Sequence, residues 1–272
     1  MRRSPFSALA ALALLATVAF LLVPVVAVFA DVGPGRLLEA LGEESAREAL
    51  RLSLWTTLLA VVIVVAVGTP AAYLLARYEG LPGRSLILTA IELPLVMPPA
   101  VAGVALLAAF GPQGIFGPLL DSAGVELVFE TAGVVVALVF VAAPFYLSQG
   151  VAAFAALDGR QLEAARTLGA GPFRTFATVA LPGAREGLAS GLALAWGRAL
   201  GEFGATLLFA GSLQGVTQTT PLAIFAEFSR PGGFTAALAL SAVLIVVSGA
   251  LLLGVKLLVG ERGPARGRPW TS

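Results

Sequence analysis

The chain has no cysteine and no histidine among its 272 residues. Without cysteine there is no disulfide framework and no thiolate metal site, and redox chemistry says nothing about compartment. Without histidine the commonest general base and the commonest zinc ligand are missing, which lowers the expectation of an enzyme. Charge is scarce as well. Asp, Glu, Lys and Arg make up 12% of the chain against 58% apolar residues, and mean hydropathy is +0.94. A soluble domain of this length needs far more charge to cover its surface. The net charge of +1 leaves no electrostatic footprint for nucleic acid.

What is present instead is a series of long apolar runs. Six segments, residues 6–30, 52–76, 86–110, 132–154, 188–210 and 236–259, each suit a bilayer whose ~30 Å hydrocarbon core takes about 20 apolar helical residues. Several are rich in valine, yet a helix is enforced in lipid because backbone groups cannot stay unpaired there. The first run follows Arg2 and Arg3 and ends in small residues before Asp31, as a secretory signal does. It is longer than the usual signal core of about 7–15 residues, so it is read as a retained span. The expected fold class is therefore an all-α integral membrane protein, one transmembrane domain over residues 1–272 with six spans.

Positive charge orients these spans. One side carries Arg2, Arg3, Arg77, Arg84, Arg160, Arg166, Arg174, Arg185, Lys256, Arg262, Arg266 and Arg268; the other carries Arg36, Arg47, Arg51 and Arg230. Both termini and the 155–187 loop are expected to be cytoplasmic. That loop is the most ordered-looking polar stretch. Asp158 is a good N-cap, with Gln161 three residues on in the capping-box position. A short helix is expected over residues 162–168, closed by Gly169 in a left-handed conformation. Pro172 suits the first position of a second helix carrying Phe173, Phe176 and Val179 on one apolar face, which Leu181 and Pro182 end. Ala164, Ala165 and Ala170 leave room for another surface to approach.

In this loop Glu163, Ala164 and Ala165, then Gly169 three residues later, then Val179 and Leu181-Pro182, resemble the EAA motif of ABC importer permeases. The family usually has isoleucine where this chain has Val179, a conservative departure. The resemblance implies a type I importer architecture. It also implies a coupling helix that docks on a cytoplasmic ATPase subunit dimer, with Glu163, Ala164, Ala165, Gly169, Leu181 and Pro182 as the docking set. No Gly-x-x-x-x-Gly-Lys-Ser/Thr phosphate loop occurs here. The chain is therefore not expected to be an enzyme or to hold a cofactor: ATP and magnesium belong on the partner. By the same resemblance, two copies form the path and an extracytoplasmic binding protein delivers the substrate.

Glu92, Arg198 and Glu202 are ionisable residues inside spans, where each costs a few kcal/mol if it faces lipid. Arg198 and Glu202 are four apart and able to pair. They either line the translocation path or gate, or hold helices together. Pro94, Pro98 and Pro99 break the third span, and broken helices at membrane depth are tolerated where they line a cavity. Residues 196–206, which contain Phe203, and residues 94–103 are similar to segments of the molybdate, tungstate and sulfate permeases. The resemblance over the chain, especially at residues 68–77 and 162–171, implies molybdate or tungstate, with sulfate or thiosulfate as the alternative. Arg198, Glu202, Phe203, Pro98 and Pro99 are the candidate path residues. The intramembrane charges also fit a proton- or ion-coupled secondary transporter, although the internal repeat expected of many such carriers does not show between the two halves. On the outer side, residues 111–131 read as a Gly/Pro-punctuated loop, and residues 222–228 as an apolar stretch too short to span.

Overall fold

The computed structural model describes residues 5–33, 35, 39, 41–78 and 80–259. Arg2, Arg3, Arg36, Arg262, Arg266 and Arg268, part of the charge bias above, lie outside the described residues, as does the Lys256 side chain. In chain order the helices are α1 (Pro5–Asp31), α2 (Glu44–Arg77), α3 (Arg84–Val96), α4 (Pro99–Phe110), α5 (Gly117–Ser122) and α6 (Thr131–Ala155). They continue with α7 (Gly159–Thr167), α8 (Pro172–Thr175), a π-helical turn (Phe176–Ala180), α9 (Leu181–Leu200), α10 (Gly204–Ala210), α11 (Thr220–Phe228) and α12 (Phe234–Val259). No strand occurs among the described residues.

Among the described residues, four helices are long and apolar enough to cross a membrane, over Phe6–Asp31, Glu44–Arg77, Thr131–Ala155 and Phe234–Val255. The segments 86–110 and 188–210, expected as single spans, are instead each two helices joined at a break. The core forms where α2, α6 and α9 meet, and it is built from small residues: Ala60, Ala72, Ala142, Ala180 and Ala195 are fully buried there. Small side chains let helix backbones approach, which is how helices associate when lipid is as apolar as the core. α2 runs unbroken past Pro70. There the Thr69 hydroxyl donates to the Val65 carbonyl and meets the Tyr146 hydroxyl of α6, both at 2.7 Å. α1 packs against α12, and its large apolar side chains from Phe6 to Phe29 are exposed.

The first break falls at Met97 and Pro98, both extended (ψ 131° and 138°). Each precedes a proline, whose ring drives the preceding residue out of the helical region. The second break, residues 201–203, contains no proline. α9 ends at Leu200 with Gly201 as its C-cap, Phe203 takes a non-helical conformation (φ −132°, ψ −56°), and α10 begins at Gly204. Such a break frees N–H groups that hydrocarbon cannot satisfy. Glu202 supplies the partner: its Oε1 accepts from the Ala205 N–H at 2.7 Å. Its Oε2 lies 2.5 Å from Arg198 Nη2 as an ion pair without hydrogen-bond geometry. The Glu202 side chain is 1% exposed and that of Arg198 29%.

The two breaks abut. A Cβ at Gly204 would stand 2.7 Å from Pro99 Cβ, and one at Gly103 would stand 2.7 Å from Leu208 Cβ. Glycine at both positions is what allows α4 and α10 to pack at backbone distance. Behind them, α11 starts on α2: the Thr220 N–H donates to Ser53 Oγ at 2.7 Å. The 222–228 stretch is thus part of a nine-residue helix, with Leu222 and Ala223 buried.

Glu202→Ala removes the α10 cap and strands Arg198, and is expected to destabilise the protein by about 3–5 kcal/mol, the range for breaking a buried pair. Glu202→Gln keeps an acceptor for Ala205 and is expected to cost less. The charge exchange Arg198→Glu with Glu202→Arg restores opposite charges but not the acceptor, so it is expected to stay unstable. Thermal unfolding of the detergent-purified variants checks this order, and a wild-type midpoint for the exchange contradicts it.

Candidate functional site

The loop between α6 and α9 is built from local chemistry upward. The Asp158 carboxylate accepts the Arg160 N–H at 3.0 Å, capping α7, and Arg160 Nη2 donates to it at 2.8 Å. The Arg160 guanidinium, then its backbone N–H, hold the Asp158 carboxyl below its ordinary value of 3.8. A depressed carboxyl keeps its cap above that ordinary value and loses it only as pH falls through the folded pKa, so the cap is intact at neutral pH. α7 spans residues 159–167, starting earlier than the expected 162. It ends in a Schellman arrangement: the Ala170 N–H donates to the Ala165 carbonyl at 3.0 Å and the Gly169 N–H to the Arg166 carbonyl at 2.9 Å. Gly169 has φ +84°, the left-handed conformation that glycine adopts without penalty.

Pro172 begins α8 as expected. Buried Thr175 donates its hydroxyl to the Ala170 carbonyl at 3.3 Å and so ties the turn to the helix. Two expectations fail here. Leu181 and Pro182 do not end a helix: α8, the π turn and α9 form one continuous helical rod from Pro172 to Leu200. Pro182 has no N–H to donate, and its ring would crowd the carbonyl of Thr178 in a regular helix. The wider π turn just before it, closed by the Leu181 N–H on the Phe176 carbonyl, relieves both problems. Phe173 also does not share a buried face with Phe176 and Val179. It is 80% exposed, whereas the other two pack on the core.

One face of the loop is anchored and the other is open. Leu162 is buried in the cluster that holds Phe154 and Ala180. Tyr73 of α2 stacks edge-on against Phe154 of α6 at 5.3 Å and leans on Phe176 of the π turn at 4.9 Å. These rings tie the loop to two long helices. Glu163, Ala164 and Gly169 are exposed, Ala165 is half-buried, and Leu168 is 88% exposed.

The structure also brings together most of the residues singled out in the spans. Pro99 packs on Gly204, two residues from Glu202, and Pro98 forms the facing break. The Phe203 ring meets Phe225 of α11, with centroids 5.0 Å apart. Glu92 lies elsewhere on α3, exposed, and enters no ion pair among the described residues. A buried hydroxyl seam between α2, α9 and α11 was not anticipated: Ser53, Thr56, Thr57, Thr219 and Thr220 are all buried, as is Thr206 of α10, and Trp196 Nε1 donates to Thr57 Oγ1 at 3.4 Å. Its signal in the sequence is faint, a Ser-x-x-Thr-Thr step inside an apolar span.

The chain is similar to known proteins. The chain is 43% identical over 252 residues to the molybdenum transport system permease protein ModB of Mycobacterium tuberculosis, covering 92% of each chain. It is 35% identical over 244 residues to the sulfate transport system permease protein CysW of Synechocystis, covering 88% of each. Among solved structures, a bacterial ABC transporter involved in the import of the acidic polysaccharide alginate superposes with a TM-score of 0.72, covering 92% of this chain and 94% of that one. At 17% identity, that likeness speaks for the fold alone. Residues 68–255, from the middle of α2 to near the end of α12, match the family described as the binding-protein-dependent transport system inner membrane component. The chain therefore belongs to that family, as a membrane-embedded permease subunit of an ABC importer.

Proposed function

We propose that this permease admits a tetrahedral oxyanion, molybdate or tungstate, delivered by an extracytoplasmic binding protein and driven by a cytoplasmic ATPase dimer. The likeness to a molybdenum permease over nearly the whole chain, at 43% identity, is the observation that carries the substrate class. Sulfate or thiosulfate is the second reading, favoured by the 35% likeness to a sulfate permease. The ATPase docks on the open face of α7, around Glu163, Ala164, Ala165 and Gly169, with Leu181 and Pro182 completing the motif on the rod that leads to α9. Both termini and this loop are cytoplasmic, and the whole chain is one transmembrane domain of the inner membrane.

Two copies enclose the path. α3 has no buried residue and is too short to span alone, and Glu92 is exposed on it. Broken helices and intramembrane acids need protein or a water-filled cavity around them, not lipid. A second copy facing α3 and the junction of the two breaks supplies that cover. Arg198, Glu202, Phe203, Pro98 and Pro99 then stand at the gate, and nucleotide-driven closure of the ATPase rocks the halves between two states.

Proteoliposomes holding the permease, its ATPase and its loaded binding protein are expected to take up molybdate only with ATP. Faster uptake of sulfate, with molybdate failing to compete, favours the second reading. Uptake driven by a proton gradient without ATP overturns the importer assignment. Glu163→Arg with Gly169→Val, which reverses a charge and forces a β-branched residue to φ +84°, is expected to leave insertion intact but lower stimulated ATP hydrolysis at least tenfold. Wild-type stimulation in that variant removes the docking assignment.

A further inference from the structure

α2 is 34 residues long. At 1.5 Å per residue it measures about 51 Å, roughly 20 Å more than the hydrocarbon core. Its foot is fixed, because Arg77 stands beside Gly159 at the start of the α7 loop. With its near edge placed at Leu75, a hydrocarbon core of ~30 Å ends about 20 residues up the helix, at Trp55, which is 59% exposed and suits an interfacial belt. Arg51 and Arg47 follow at one-turn intervals on the same face, about 6 and 12 Å above Trp55, at headgroup level. Both are exposed, and neither guanidinium enters an ion pair or hydrogen bond among the described residues. Below them a groove of about 890 Å³ runs down over Leu54, Trp55 and Leu58. The one carboxylate lining it, Glu48, lies at the side, its Oε2 3.6 Å from where a Gly215 Cβ would stand.

We propose that this groove holds an anionic phospholipid of the leaflet away from α7. Two unpaired guanidiniums one turn apart repel each other and fit a phosphate well. A small free oxyanion neutralises them but leaves the apolar groove below unfilled. A zwitterionic lipid places an ammonium beside two cations. An anionic lipid fills both parts, with its headgroup at Arg47 and Arg51 and an acyl chain along Leu54 and Leu58.

Native mass spectrometry of the full-length protein, titrated with phosphatidylglycerol or phosphatidylcholine of matched chains, tests this. Wild type is expected to retain phosphatidylglycerol preferentially. Arg47→Gln with Arg51→Gln is expected to weaken that binding roughly tenfold or more, as loss of two basic contacts to an anionic lipid implies, and to leave phosphatidylcholine unchanged. Arg230→Gln, which removes a cation paired with Glu227, is expected to change neither. Equal retention of the two lipids, or an unaffected double variant, overturns the proposal. So does retention of glycerol phosphate as tight as that of the lipid, which marks a site for a small anion. In this cysteine-free chain, a Trp55→Cys disulfide between two copies with no lipid retained overturns it too, since a second copy then fills the groove.

Discussion

Hydrocarbon offers no hydrogen bonds, so any backbone group freed inside it must be satisfied by the protein. That constraint shapes the centre of this molecule. Two membrane segments are interrupted, and each interruption is resolved locally. At the first, proline stands where an N–H would otherwise be stranded. At the second, Glu202 reaches three residues on to accept the Ala205 N–H, while Arg198 compensates its charge. The glycines at 103 and 204 then let the interrupted pieces lie against each other. Irregular backbone and a charge pair inside apolar segments need protein or a water-filled cavity around them rather than lipid.

The loop between α6 and α9 is joined to that centre by continuous helix. From Pro172 to Leu200 the chain passes from an exposed turn, through a π turn, to the residue before the second break. The rings of Tyr73, Phe154 and Phe176 brace its base against α2 and α6. The helix that starts at Pro172 therefore ends beside Arg198 and Glu202, and the π turn, where helical geometry is already loosened, is the natural place for it to bend.

Local chemistry was readable in the sequence wherever one side chain decides one backbone conformation. Asp158, Gly169 and Pro172 sit where capping and turn rules put them, and Pro98 and Pro99 mark a break because a proline pair cannot continue a helix. The second break was not readable. No proline announces it, and its cap is made by an acid whose i,i+4 partner suggests an ordinary helix. Pro182 misled in the opposite sense: it resembles a terminator, but a π turn absorbs the missing N–H. The hydroxyl seam was hidden for another reason. Ser53 and Thr57 look like isolated polar residues in an apolar run, and their partners Thr220 and Trp196 lie 167 and 139 positions away.

The most direct test of the mechanical link is a distance across the assembled transporter. With no native cysteine, Leu208→Cys, exposed on α10 beside the breaks, takes a single spin label on each copy of the proposed pair. Electron–electron resonance then reads the separation of the two labels with and without a non-hydrolysable ATP analogue on the ATPase. The proposed coupling of α7 to Glu202 through the Pro172–Leu200 rod predicts a shift of several ångströms on nucleotide binding, lost in the Glu163→Arg, Gly169→Val background. A distribution that does not move when nucleotide binds, in a transporter that still imports, contradicts it.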